Sequence, residues 1–314
     1  MTNSILTVSL NAAVDVACIV DEFAVNKINT VHTVAKMAGG KANNVARVLA
    51  SLGQPVIATG FAGGTPGMFI QEDLGRLGIT AEYEPTAGDN RTCTTIVDPV
   101  GRTLTEIREK GPTLTPEDGE RFLTRYSRLL DRVGLVVISG SLPPGVPADF
   151  YARLVRMAFR QTQVRVIVDA SGRALAEVLK AQPYLVKPNR EELEEWAGRP
   201  LPDDRAILAA ARQLIESGPL VVAVSLGAGG LILVAPEGAW RATPPQIEPV
   251  NTVGSGDSLV AGFAAGLMQG LGAEDVLRLA VACGTANALT NEVAVVRPAD
   301  LERIRSQVRV ARIG

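Results

Sequence analysis

The sequence predicts an α/β fold, a mostly parallel sheet with helices on both faces, together with a small β lid. Three observations carry that expectation. Short Val-rich runs alternate with segments of helical spacing, the rhythm of parallel strands joined by crossover helices. Hydrophobic residues make up 46% of the chain and aromatics only 4%, so the core must be packed from Val, Leu, Ile and Ala, which suits a sheet buried on both faces. Two β-rich stretches fall outside the alternation and need a layer of their own.

In chain order, residues 4–10 (Ile5-Leu6-Thr7-Val8 at their centre) read as a buried strand. Residues 43–52 read as a helix, with Val45, Val48, Leu49 and Leu52 on one face. A strand at 56–60 and a helix from Gly67 to Leu77, stopped by Gly78, follow. The runs at 133–139, 165–169, 184–187 and 220–226 read as further strands, each leading into a helical pattern. A last apolar helix covers 259–268. The two stretches that break the rhythm are 16–37 and 93–109. Their alternating character, as in Thr94-Thr95-Ile96-Val97-Asp98, predicts a β lid from about 14–38 and 92–110, the two pieces pairing with each other.

Composition excludes several functions. The net charge is -2 and no long basic run occurs, which disfavours a nucleic-acid partner. Cys18, Cys93 and Cys283 lie far apart with no metal-type spacing and read as reduced thiols. His32 is the only histidine; its setting reads as a strand and the residue as an ordinary surface histidine. No basic segment followed by an apolar stretch opens the chain, and no apolar run reaches the roughly 20 residues a membrane span needs. The expected location is the cytoplasm, with no membrane partner.

Ligands of open parallel sheets bind at the carboxyl ends of the strands, and the chemically suggestive residues fall there. Gly254-Ser255-Gly256-Asp257 opens a helix. Glycines at that position expose backbone N–H groups, the helix dipole adds positive potential, and Asp257 offers a proton acceptor. The set suits the developing charge of a transferring phosphoryl group. On residue types alone, a Gly-rich turn with Asp257 as a helix-start carboxylate fits as well. Asp15 follows the first strand and reads alone as a turn aspartate. Ser141 lies in the turn Ser139-Gly140-Ser141-Leu142-Pro143-Pro144-Gly145. Asn189 and Glu192 have capping-box spacing. A Gly-rich loop, Ser225-Leu226-Gly227-Ala228-Gly229-Gly230, ends another strand. No Gly-x-x-x-x-Gly-Lys-Ser/Thr motif occurs, which excludes the P-loop mechanism. No Gly-x-Gly-x-x-Gly follows the first strand, which argues against a nicotinamide-linked dehydrogenase.

The segment from Asn251 to Ser258 closely resembles the C-terminal signature of the ribokinase-like, PfkB-type carbohydrate kinases. Ala38-Gly39-Gly40-Lys41-Ala42-Asn43-Asn44-Val45-Ala46-Arg47 resembles their N-terminal signature, about two hundred residues earlier. The resemblance runs from Ile5 to about Pro298. It is greatest to the hexose-phosphate branch that contains tagatose-6-phosphate kinase, 1-phosphofructokinase and the minor 6-phosphofructokinase.

That resemblance implies one ribokinase-like domain over residues 1–314 and ATP-dependent phosphorylation of a ketohexose phosphate. It implies Asp257 as catalytic base, with Gly254, Ser255 and Gly256 as the anion hole. Asp15, Gly39, Gly40, Asn44 and Ser141 are implied at the sugar, and Lys41 and Arg91 at the phosphate the sugar already carries. Lys187, Asn189, Ser225, Gly227, Gly229, Gly230 and Asn287 are implied at ATP, and Glu192 at Mg²⁺, mostly through water. A monovalent cation is a further possible cofactor. Lys27 is a weaker phosphate candidate and reads better as a solvated lysine. Ala12 and Ala42 replace the family's usual Pro and Gly. Lids of this family often pair between subunits, which implies a homodimer.

Three local features lean toward tagatose 6-phosphate: Arg91-Thr92-Cys93, Ser255 where 1-phosphofructokinases usually have Ala, and Ala286-Asn287-Ala288. The alternatives are 1-phosphofructokinase, 6-phosphofructokinase, a kinase of an unphosphorylated sugar or nucleoside, and a non-catalytic sugar-phosphate-binding regulator. Lys41 with Arg91 argues against an unphosphorylated substrate. Asp257 with intact glycines argues against a dead regulator.

Overall fold

The computed structural model describes residues 4–162 and 164–313. The chain runs β1 (Ser4–Ser9), β2 (Ala13–Ile19), β3 (Thr33–Gly39), α1 (Lys41–Ser51), β4 (Val56–Ala62), α2 (Gly64–Arg76), β5 (Thr80–Ala81), β6 (Glu84–Pro85), β7 (Arg91–Asp98) and β8 (Thr103–Arg108). It continues α3 (Pro116–Leu130), β9 (Val133–Ser139), α4 (Phe150–Thr162), β10 (Arg165–Asp169), α5 (Gly172–Leu179), β11 (Leu185–Val186), α6 (Arg190–Ala197), α7 (Asp204–Glu216) and β12 (Val221–Ser225). The last part comprises β13 (Leu231–Ala235), β14 (Gly238–Thr243), α8 (Ser255–Met268), α9 (Ala273–Asn287), α10 (Pro298–Arg305) and β15 (Arg309–Arg312).

Eleven strands form one sheet in the order β15-β14-β13-β12-β11-β10-β9-β1-β4-β5, with β6 also on β4. Pairing is parallel from β12 through β4, and antiparallel from β12 to β15. The fold is the mostly parallel α/β architecture expected. Its inner strands are apolar on both faces because each face is covered. Ile5, Leu135, Val137 and Ile167 point into one core with α1, α8 and α9. Their neighbours Leu6, Val8, Val136, Ile138 and Val168 point into the other, with α3, α4 and α7. Burying such a side chain contributes roughly 1.5–3 kcal/mol, so a one-residue slip in any central strand is strongly disfavoured.

The β-rich stretches form a second, four-stranded sheet in the order β3-β2-β7-β8. β2 pairs in parallel with β7, from Ala13 opposite Arg91 to Ile19 opposite Val97, so the two stretches contact each other directly. Its base packs on the body through Val14 and Ala38, while Ile19, Val34, Leu104 and Ile107 remain exposed.

Some boundaries differ from the sequence expectation. Helix α1 begins at Lys41, not Asn43, so the lysine belongs to its first turn. Helix α2 begins at Gly64, not Gly67. Gly64 to Pro66 read as breakers, but the first helical turn has spare N–H groups and tolerates proline. His32 precedes β3 in a bend and lies 3.4 Å from Asp21 at the surface. Among the described residues, no helix is long and apolar enough to cross a membrane.

Candidate active site

The chemically suggestive residues gather at the carboxyl ends of the parallel strands. Asn11 follows β1, Ser141 follows β9, Asp169 closes β10, Lys187 and Asn189 follow β11, and Gly227 follows β12. Helix α8 points its N-terminus into the same region.

Gly254 caps α8 in a left-handed conformation (φ 81°) and packs so tightly that a Cβ there would lie 2.9 Å from the backbone nitrogen of Ala294. A side chain is therefore opposed twice over, by conformation and by space. The N–H of Ser255 donates to the Thr252 carbonyl at 3.2 Å, so this member of the expected anion hole is held in a turn. Gly256 faces open space, with the Lys187 ammonium 3.9 Å from where its Cβ would be.

Asp257 lies one residue further on, only 6% exposed. Its Oδ2 accepts a hydrogen bond from Asn44 Nδ2 at 2.8 Å. Burial, and secondly the charge of Asp169, raise its pKa to about 7; Asn44, Lys41 and Lys187 pull the other way. The carboxylate is thus a far better proton acceptor than an ordinary aspartate near 4.

Sequence reading overlooked Asp169. It is 2% exposed and lies 3.5 Å from Lys187 Nζ and 3.9 Å from Lys41 Nζ. Its Oδ1 has no hydrogen-bond partner. An acidic residue closing a Val-rich parallel strand is a visible signal, because that is the end at which ligands bind. Asp169 also raises the pKa of Lys41 and keeps its half-exposed ammonium charged. Lys41 therefore stands by Asp169, within the electrostatic reach of Asp257 and Glu192.

At the β3–α1 turn, burial raises the pKa of Asp15, which also receives a backbone hydrogen bond from Gly40. Gly39 is required for space: a Cβ there would lie 2.0 Å from the Asp15 carboxyl carbon. Arg47 fixes this corner by donating to the Ala38 carbonyl at 3.1 Å and pairing with Asp73 at 3.3 Å. Arg91 donates through Nε to the Asn11 carbonyl at 3.2 Å, and Asn11 Nδ2 donates to Ser141 Oγ at 3.0 Å. The structure thus links Arg91 and Ser141 through Asn11, another residue not singled out from sequence.

On the opposite side, Asn189 and Glu192 form a complete capping box: Asn189 accepts from the Glu192 N–H at 2.7 Å and Glu192 Oε2 accepts from the Asn189 N–H at 2.8 Å. Ser225 N–H donates to Pro188 O at 3.0 Å, which holds the Gly227 loop against this turn. A Cβ at Gly227 (φ 55°) would meet nothing within 4 Å, so that face of the loop is open. Gly230 is structural, since a Cβ would collide with the Ala242 carbonyl at 2.2 Å. Arg241 braces Gly229 by donating to its carbonyl at 2.6 Å. Asn287 is fully buried and donates to Val253 O at 2.9 Å and Ser255 Oγ at 3.1 Å, so it supports the glycine turn from behind. Lys27 is exposed.

These residues bring a buried carboxylate, two lysines and a helix N-terminus together, with Asp15, Gly39 and Asn44 on one side and a Gly-rich loop on the other. That arrangement can position an alcohol against a phosphoryl group. A model described as pfkB family carbohydrate kinase matches residues 4–299. A Staphylococcus aureus structure assigned as a phosphofructokinase is 35% identical, with 98% of this chain and 99% of that one covered and a TM-score of 0.86. A Thermotoga maritima structure assigned as a 1-phosphofructokinase is 30% identical over 99% and 100% of the two chains, with a TM-score of 0.89. Escherichia coli phosphofructokinase-2 in complex with fructose-6-phosphate is 26% identical over 98% and 99%, with a TM-score of 0.88. That enzyme is also known in complex with potassium and as an inhibited tetramer.

Proposed function

The chain belongs to the pfkB family of carbohydrate kinases, ATP-dependent enzymes, and from that premise we propose that it phosphorylates a ketohexose phosphate to the bisphosphate, with tagatose 6-phosphate as the preferred substrate. The observation that carries the catalytic part is Asp257, a buried carboxylate with a pKa of about 7 at a helix N-terminus beside Lys187 and within reach of Lys41.

In the reaction the free primary hydroxyl of the sugar attacks the γ-phosphorus of ATP. The bond from that phosphorus to the β,γ-bridging oxygen breaks, and ADP leaves with the electron pair. The hydroxyl proton passes to Asp257. Phosphoryl transfer is largely dissociative, so the proton leaves late and positioning matters more than base strength. Asn44 orients the Asp257 carboxylate by donating to Oδ2. The N-terminus of α8, Lys187 and Lys41 stabilise charge on the transferring group. Asp15 and Asn44 hold the sugar hydroxyls, and Arg91 with Ser141 lies toward the phosphate. Asn189 and the loop Ser225–Gly230 support the nucleotide, with Gly227 as its open face.

The residues present fit a hydrated Mg²⁺. Glu192 uses Oε2 in the capping box and keeps its second oxygen, and Asp169 Oδ1 lacks a hydrogen-bond partner. Among the described residues no cluster of three or more His, Cys, Asp or Glu side chains could hold a metal unaided. Water and ATP oxygens would complete the shell, the usual habit of Mg²⁺, which neutralises phosphate charge. The potassium complex of the E. coli relative supports a monovalent cation as a second activator.

The preference for tagatose 6-phosphate rests on the local sequence features above, with side activity on fructose 6-phosphate. The T. maritima relative favours a second reading, fructose 1-phosphate phosphorylated at its 6-hydroxyl. A ketose bisphosphate is nearly symmetric end to end, so one pocket can take either orientation. Comparing kcat/KM for the three substrates decides it: a tenfold or greater preference for fructose 1-phosphate overturns the ordering. We place the enzyme in the cytoplasm, where its three unpaired cysteines stay reduced. The subunits pair through the lid, where Ile19, Val97 and Leu104 form one exposed-to-half-buried apolar row.

A further inference from the structure

Beside the sugar-binding corner lies an open cleft of about 480 Å³ between the β7 end of the lid, the segment before α3, the turn after β9 and the start of α5. Three cations from three separate elements line it: Arg91, Lys110 and Arg173. None forms a close ion pair among the described residues; Arg91 donates through Nε to the Asn11 carbonyl, and its charge acts on the Asp15 carboxylate from further away. The one acidic residue in the lining, Glu109, is engaged at the rim, where its Oε2 accepts the Thr92 N–H at 2.7 Å. Cations gathered around a cavity repel one another unless an anion occupies it.

The cleft also contains an unmet hydrogen-bond acceptor. Asn11 is 9% exposed, and while its Nδ2 donates to Ser141, its Oδ1 has no partner. A buried carbonyl oxygen of this kind calls for a donor, and a sugar hydroxyl is one. Gly111 lets the chain before α3 pass close to this oxygen, since a Cβ there would lie 2.0 Å from Asn11 Oδ1. One ligand that supplies both a donor and an anion is a phosphorylated sugar.

We infer that Lys110 and Arg173, which line this cleft with Arg91, are specificity-determining residues that join it in binding the phosphate already carried by the substrate. The inference rests on the reading of the enzyme as a ketohexose-phosphate kinase and extends it. It also gives Lys41 a different emphasis: standing at Asp169, it acts on the transfer side, and the substrate's dianion draws its other cations from Lys110 and Arg173. Both are exposed, so their replacement leaves the core untouched.

The test is the double variant Lys110→Gln/Arg173→Gln in the full-length enzyme, assayed with tagatose 6-phosphate, fructose 6-phosphate, the two free sugars and ATP. Expected is a rise of about tenfold or more in KM for both sugar phosphates, with KM for ATP and any activity on free sugars within twofold. Inorganic phosphate should compete with the sugar phosphate in the unaltered enzyme and lose potency in the variant. The pair Lys110→Arg/Arg173→Lys should restore KM. If the unaltered enzyme turns over a sugar phosphate and the double variant keeps its KM within twofold, the cleft assignment falls and the functional reading stands. An equal rise for ATP also overturns the assignment. If the unaltered enzyme turns over neither of these sugar phosphates nor fructose 1-phosphate, both readings fall.

Discussion

Asn44 and Asp257 are 213 residues apart in sequence and joined by a 2.8 Å hydrogen bond in the fold. The bond ties the first turn of α1, which follows Gly39 and Gly40, to the first turn of α8, which carries Asp257. It holds the carboxylate in place and keeps its pKa from rising further. On the proposed roles, the bond would register substrate and base to each other before any ligand arrives, the kind of preorganisation on which phosphoryl transfer depends.

Replacing Asp257 with Asn should reduce kcat by about 10²–10⁴ while ATP and sugar-phosphate binding persist, because the amide keeps the shape but accepts no proton. Single-turnover rates together with calorimetric binding check this. Turnover within threefold of the unaltered enzyme would remove Asp257 from the mechanism.

The same substitution should stabilise the protein above neutral pH. The Asp257 pKa is about 7 when folded against 3.8 for the free group, so the folded state holds the proton more tightly. Stability is therefore lost as pH rises from about 4 through about 7, and the loss is complete above it. Asp257→Asn removes a cost of up to about 4 kcal/mol at pH 8 and nothing comparable below pH 4. Thermal melts at the two pH values show it; an equal gain at both would contradict it.

The pH profile of kcat/KM should have an acid limb near 7, the pKa of Asp257 in the free enzyme. Asp169 raises that value, so Asp169→Asn should shift the limb to lower pH, whatever it does to the maximal rate. A limb that stays in place or moves up would assign it to another group.

Gly39→Ala should weaken sugar binding selectively. The new methyl group meets the Asp15 carboxyl at 2.0 Å, so either Asp15 or the β3–α1 turn must move. KM for the sugar phosphate should rise by tenfold or more, with KM for ATP little changed. A variant with wild-type KM would show that Asp15 is not needed at the sugar.

The enzyme should be a dimer in solution. Light scattering at assay concentration checks this, and Ile19→Asp/Leu104→Asp, placed in one row of the lid sheet, should yield monomers. A monomeric unaltered enzyme would refute the lid interface.

The alternation of Val-rich strands with helices determined the layered architecture, because strands covered on both faces can have no polar side. The glycines around Asp257, the Gly39-Gly40 pair and the capping box at Asn189 and Glu192 were equally legible, since each is a local backbone requirement written in consecutive residues. The partners of those residues were not. Lys41 meets Asp169, Asn287 supports the glycine turn from behind, and Arg91, Lys110 and Arg173 face one cleft only because separate strand ends converge. Nor does the sequence contain the pKa of Asp257: it follows from burial and a neighbouring charge, both of which exist only once helix α8 is packed against the sheet.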